Sequence, residues 1–155
     1  MPEKTPAETT VRPADAALGS GVGRVLLLVY GVFALSASAR ALVQISTHFA
    51  EAPLAYLLSA FAGLVYIAAT VGLARGGPTG RRIALISCTI ELLGVLAIGT
   101  LSVLDTGDFP DATVWSNFGS GYGYVPLVLP FIGLWWIHRH KPTQPPKSGP
   151  TTATP

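Results

Sequence analysis

The sequence predicts an all-α, polytopic membrane protein with four transmembrane helices and both termini in the cytoplasm. Three observations lead there. Half of the 155 residues are hydrophobic and only 12% are charged, against about 25% charged in soluble domains. Four apolar segments lie between two polar tails, at about residues 25–47, 54–74, 83–104 and 122–138. Finally, of the 10 lysines and arginines all but Arg40 fall on one side of a four-span threading. Loops rich in Lys and Arg stay in the cytoplasm.

Residues 1–23 are rich in Pro, Thr, Ala and Gly. They offer little apolar surface to offset the entropy of ordering, so a disordered cytoplasmic tail is expected. Crossing a bilayer takes roughly 20 apolar helical residues. The first segment has that length with Arg40 near one end, the second is uncharged, and the third is broken only by Glu91. The fourth is short and carries Pro126 and Pro130, yet is expected to cross. Together they make a transmembrane domain over 24–140, and residues 141–155 read as a second disordered Pro/Thr tail. The first segment also fits a signal peptide ending at Ala37-Ser38-Ala39. Apolar helical character resumes at Ala41, Leu42, Val43 and Ile45, so this span is expected to be kept.

The connections carry the orientation. Lys4, Arg12 and Arg24 precede the first span, Arg75, Arg81 and Arg82 separate the second from the third, and Arg139, Lys141 and Lys147 come after the fourth. Glu51, Asp105, Asp108 and Asp111 occupy the other side. Trp115, Phe118, Tyr122 and Tyr124 are expected at the outer interface, and Trp135 and Trp136 at the inner one. A short interfacial helix capped by Asp111 is expected to dip Trp115 and Phe118 into the headgroups, with Gly119, Gly121 and Gly123 as a flexible link to the last helix.

Glu91 lies nine residues beyond Arg82, about 13 Å into the membrane at 1.5 Å per residue. A carboxylate there costs about 2.5–3.5 kcal/mol on insertion scales, so it should face the bundle and find a partner. Ala84, Ser87, Cys88, Glu91, Gly94, Val95, Ile98 and Ser102 share one small, polar face of the third helix. Arg40 lies about 24 Å from the inner side by the same rise, on a stripe with Phe33, Ser36, Ala37, Gln44 and His48. The two charges differ in depth by roughly 10 Å. A salt bridge needs both side chains stretched, and a water or hydroxyl link is the easier geometry. Tyr66, nine residues before Arg75, matches Glu91 in depth, and its phenol can donate to a carboxylate. Pro130 frees the carbonyl of Pro126 as a further acceptor. Glu91, Arg40, Tyr66 and Gln44 form the expected intramembrane polar site. It serves either as a structural anchor or as a proton or cation site.

Other function classes find no support. A net charge of +2 without a basic stripe excludes a nucleic-acid surface. Cys88 is the sole cysteine, which excludes an intrachain disulfide and a Cys-x-x-Cys redox pair. Nucleophile motifs, paired catalytic carboxylates and phosphate loops are missing. No enzyme activity and no cofactor are therefore expected. His48, Glu51 and the three loop aspartates match no fixed cation-binding spacing, so no metal site is expected.

The stretch "TVWSNFGSGYGYVPLVLPFIGLWWIHRH", with the Ala/Gly/Arg-rich, lysine-poor composition, resembles small four-helix integral membrane proteins of high-GC actinobacteria, a group known mostly as uncharacterised. The resemblance covers roughly 24–140. It implies a multi-pass protein of the cell membrane and no particular activity. Four-helix quinone-linked thiol enzymes carry a cysteine pair that this chain lacks. Small multidrug exporters carry their membrane glutamate in the first helix, whereas here it is in the third. The expected role is an interaction or accessory subunit of a membrane complex, in contact with lipid, other membrane proteins or a second copy of itself. The alternative is a proton- or cation-coupled transporter working through Glu91.

Overall fold

A computed structural model of the chain describes residues 21–104 and 112–140. Within them the protein is all-helical. Helix α1 is Gly21–His48, α2 is Pro53–Arg75, α3 is Gly77–Leu104 and α4 is Val125–Arg139, and a 3-10 segment, Ser116–Tyr122, precedes α4. Three helices are long and apolar enough to cross a membrane, as in a multi-pass membrane protein. The expected tails, apart from Gly21–Gly23, and Asp105, Asp108 and Asp111 lie outside the described residues.

Two helices overrun their apolar segments. α1 starts at Gly21, inside the stretch assigned to the tail. α3 starts at Gly77 and takes in Pro78, Arg81 and Arg82. Proline suits a first helical turn, where its missing N–H would have had no partner. The connections are short. Phe49–Ala52 joins α1 to α2, closed by a bond from the Glu51 N–H to the His48 carbonyl at 2.9 Å. Gly76 alone separates α2 from α3, with φ +60. The helices therefore run up, down and up, and α4 returns: the Arg81 Nε donates to the Ile137 carbonyl at its C-terminal end, 3.3 Å away. Arg24, Arg75, Arg81, Arg82 and Arg139 thus share one end, called here the basic end. His48, Glu51 and Leu104 mark the opposite one.

The packing is inverted relative to a soluble bundle. The interior is lined by Ala34, Ala37, Ala62, Ala69, Ala84, Ser59 and Ser87, while Leu35 and Leu104 are 77% and 78% exposed. Leucine gains nothing from burial when lipid is as apolar as the core, whereas small residues let helices close and gain dispersion contacts. The buried stripe of α1 is Gly23, Leu26, Tyr30, Ala34, Ala37 and Ala41; of the expected stripe Phe33, Ser36, Ala37, Arg40, Gln44 and His48, only Ala37 belongs to it. Ser36 and His48 are exposed, and Phe33, Arg40 and Gln44 sit half-buried at the edge. The alanine face wins because it admits α2, where a Cβ on Gly63 would lie 2.9 Å from the Ser38 hydroxyl. On α3 the buried residues include Ala84, Ser87, Cys88, Glu91, Val95 and Ser102, the face set by the helical spacing.

The fourth segment departs most from expectation. α4 has 15 residues, about 22 Å, short of the roughly 30 Å hydrocarbon core. A fourth crossing requires the 3-10 segment as well, and the two are bent by 97°. Gly123 and Tyr124 cause the break, both with left-handed φ, of 62 and 61. The expected headgroup helix is absent from the described residues. Trp115 is instead 2% exposed, its ring lying where a Cβ on Gly94 of α3 would meet it at 2.6 Å. Phe118 is half-buried in the same way against Gly99. Ala112–Tyr124 therefore folds inward as a plug among the helices. Missing side chains at Gly94 and Gly99 make room for two aromatic rings.

Gly72 and Gly80 form the tightest helix contact, since a Cβ on Gly72 would sit 2.7 Å from the Ala84 nitrogen and one on Gly80 2.6 Å from the Gly72 carbonyl. Gly72→Ala should destabilise the bundle by about 1–3 kcal/mol, the usual range for overpacking, seen as a lower thermal midpoint in detergent. Gly121→Ala, which meets nothing within 4 Å, should leave the midpoint unchanged.

Candidate functional site

Among the described residues the interior holds one carboxylate. Glu91 is 0% exposed and receives the Tyr30 hydroxyl proton at 2.7 Å on Oε2. The Tyr30 oxygen is also 3.2 Å from Cys88 Sγ. A phenol has one hydrogen, and this one is committed to Glu91. The thiol is therefore the donor of the second contact, and the order is Cys88 to Tyr30 to Glu91. The far side of this pair is closed by α4, where a Cβ on Gly133 would come within 2.9 Å of Cys88 Sγ and 3.3 Å of the Tyr30 hydroxyl.

Tyr66 lies beside the same carboxylate. Its oxygen accepts a hydrogen bond from Trp115 Nε1 at 3.2 Å. The rings of Tyr30, Tyr66 and Phe33 pack on one another, with centroids 6.2 Å and 5.4 Å apart for the two pairs that include Tyr66. The cluster around Glu91 is thus drawn from every part of the fold: Tyr30 from α1, Tyr66 from α2, Cys88 from one turn back on α3, and Trp115 from the plug. Glu91 Oε1 has no hydrogen-bond partner. In a fully buried carboxylate that leaves an acceptor of about 1–3 kcal/mol unused.

Arg40 does not reach Glu91. One guanidinium nitrogen donates to the Tyr122 hydroxyl at 3.0 Å, the other to the Ala112 carbonyl at 2.9 Å. Nε donates to Gln44 Oε1 at 3.3 Å. The expected four-residue site is therefore two sites. Glu91 and Tyr66 belong to the central cluster, whereas Arg40 and Gln44 hold the plug from above. The depth difference explains the split, since Arg40 sits near the end of α1 opposite the basic one. The Pro126 carbonyl is not a partner of Glu91 either. Pro126 instead packs its ring against Gly119, whose absent Cβ would lie 2.8 Å away.

The other aromatics also divide. Tyr122 is half-buried under Arg40, Tyr124 is exposed, and Trp135 is exposed with Arg139 4.6 Å above its ring. Trp136 turns into the core and stacks on His140 at 4.8 Å. Among the described residues no group of three or more His, Cys, Asp or Glu gathers in a way that would hold a metal ion.

Tyr30 is the residue that sequence reasoning passed over. The signal was present. It lies six residues beyond Arg24, about 9 Å deep, within roughly 5 Å of the level of Glu91 and closer than Arg40. Comparison with protein-family models, curated proteins and solved structures finds no match for this chain.

Tyr30→Phe removes the hydrogen bond to Glu91 Oε2 and should destabilise the fold by about 1–3 kcal/mol, the cost of stranding a buried acceptor. The double variant Tyr30→Phe with Glu91→Leu removes both polar partners. Its thermal midpoint should lie above that of Tyr30→Phe alone, and the difference is read from the two melting curves.

Proposed function

We propose that this is a small multi-pass protein of the cell membrane, with four crossings and cytoplasmic termini, that serves as an accessory subunit of a larger membrane complex. The observation that carries the proposal is the seam between α1 and α4. Those two helices meet far less than the other neighbouring pairs. They leave an apolar groove of about 710 Å³ lined by Val22, Val25, Val29, Val125, Val128 and Ile132, among others, with Gly21 and Gly123 also on its wall. A bundle that closed on itself would have filled it. The occupant proposed is an apolar transmembrane helix of a partner. It would complete the wall that α4, at about 22 Å, is too short to finish. The basic end supports a cytoplasmic assignment for the termini, and the three long apolar helices support residence in a membrane.

A second reading is favoured by one specific observation. Glu91 Oε1 is buried without a partner, and no cationic side chain among the described residues hydrogen-bonds to the carboxylate. Intramembrane acids mark ion or proton sites by default, which supports a proton- or cation-coupled transporter.

A photo-crosslinking residue at Val25 or Val128 should give a discrete adduct in native membranes, while one at Leu64, exposed on α2, should give none. Filling the seam with Val25→Trp should abolish the adduct at Val128. An adduct of twice the chain mass would mean a second copy sits there instead, and equal adducts from Leu64 would refute the seam. Threading is tested separately. A membrane-impermeant maleimide on intact cells should label Ser120→Cys, exposed at the plug, and not Thr151→Cys.

A further inference from the structure

We propose that Ala112–Tyr124 is a movable plug, latched by Arg40, that controls access from the end opposite the basic one to a site at Glu91 for one small cation, the proton included. The inference rests on the transporter reading and adds its gate.

Three observations place the gate. The Trp115 ring stands edge-on to Phe61 at 6.1 Å and covers Gly94. Its Nε1 holds the Tyr66 hydroxyl, which lies beside Glu91. One side chain thus separates the plug from the carboxylate. Arg40 then grips both limbs of the plug, through Ala112 and Tyr122, so a single guanidinium fixes its position. Finally, the plug is strained. Asn117, Phe118 and Tyr124 take φ of 48, 58 and 61; Asn tolerates the left-handed region, whereas aromatic residues enter it when their surroundings impose it. The surroundings here are the Ser102 hydroxyl, which accepts the Asn117 N–H at 2.8 Å, and Gly99 beneath Phe118. Gly123, left-handed with nothing within 4 Å of a Cβ, supplies the hinge. A strained segment held by a few separable contacts is the kind of element that has two positions.

The site behind the plug suits one positive charge. It offers the unpartnered Glu91 Oε1 with the Tyr66 oxygen nearby. A divalent ion such as calcium takes 6–8 oxygen ligands, more than this cluster provides.

Cys88, the sole cysteine, is fully buried one turn from Glu91 and bonded to Tyr30, so its reaction with 2-aminoethyl methanethiosulfonate reports opening of the interior around the carboxylate. In proteoliposomes the native protein should react slowly. Arg40→Gln, which frees the latch, should raise the rate about tenfold or more, as expected for losing a charged hydrogen bond, and Trp115→Ala, which removes the buried stopper ring, should raise it at least as much. Ala55→Leu overpacks the separate cluster of Ala52, Ala55 and Tyr56, away from Cys88, and is the control. A rise as large in Ala55→Leu, fast reaction of the native protein, or no rise in either folded plug variant would overturn the gate. The site is read independently from the thermal midpoint. A midpoint raised by sodium over choline chloride at fixed pH, and lost in Glu91→Gln, identifies a metal cation. A Glu91-dependent response to pH alone identifies the proton. Neither response in the native protein would defeat the cation site and the transporter reading, even if Cys88 showed the plug to move.

Discussion

A peptide group in hydrocarbon can bond only to the protein that carries it. That constraint shapes everything in this chain. It makes three long helices the natural solution for residues 21–104. It also explains how a stretch without helical geometry can fold at the same depth. Ala112–Tyr124 is tolerated because its polar backbone is met from inside the bundle. Arg40 reaches the Ala112 carbonyl, the Ser102 hydroxyl accepts from Asn117, and the Thr113 hydroxyl accepts the N–H groups of Trp115 and Ser116. Of those side chains Arg40 would be the costly one in lipid, and it is stable here because the plug gives it the Ala112 carbonyl and the Tyr122 hydroxyl to bind.

The same constraint governs the middle of the bundle. Large side chains face outward and small ones inward, so the helices approach until glycine meets glycine at Gly72 and Gly80. Among such small residues the bulky interior groups are conspicuous. Tyr30, Tyr66, Glu91 and Trp115 are all buried and all carry polar atoms. They form the specific, directional part of an otherwise generic apolar fold. Cys88, though small, joins them through Tyr30. An anchor and a transport site would be built from the same atoms. What bears on the choice is Glu91 Oε1, which has the Tyr66 phenol beside it and no cationic partner among the described residues.

Much of this was legible in the residues. The three long helices stem from apolar length, and the buried face of α3 from three- and four-residue spacing. Glu91 was predictable as an interior group because no other place on that helix suits a carboxylate. Its partner was harder. Arg40 attracts attention because it is charged, whereas Tyr30 is one uncharged residue in an apolar run, and only its depth gives it away. The plug was not legible at all. "WSNFGSGYGY" has no period, its aromatic residues match an interfacial girdle, and although Asn117 tolerates a left-handed backbone, nothing in Phe118 or Tyr124 announces one. Trp115 becomes an interior residue only because Gly94 leaves a recess on a neighbouring helix, as Gly99 does for Phe118, a fact of tertiary structure.

The single residue between α2 and α3 has a consequence for assembly. Two helices joined through Gly76 alone must lie side by side within one polypeptide. Neither can be lent to another copy while the other stays at home. The four residues of Phe49–Ala52 tie α1 to α2 nearly as closely. Any oligomer of this protein is therefore assembled from intact three-helix blocks, and exchange of elements between copies is confined to the part of the chain beyond Leu104.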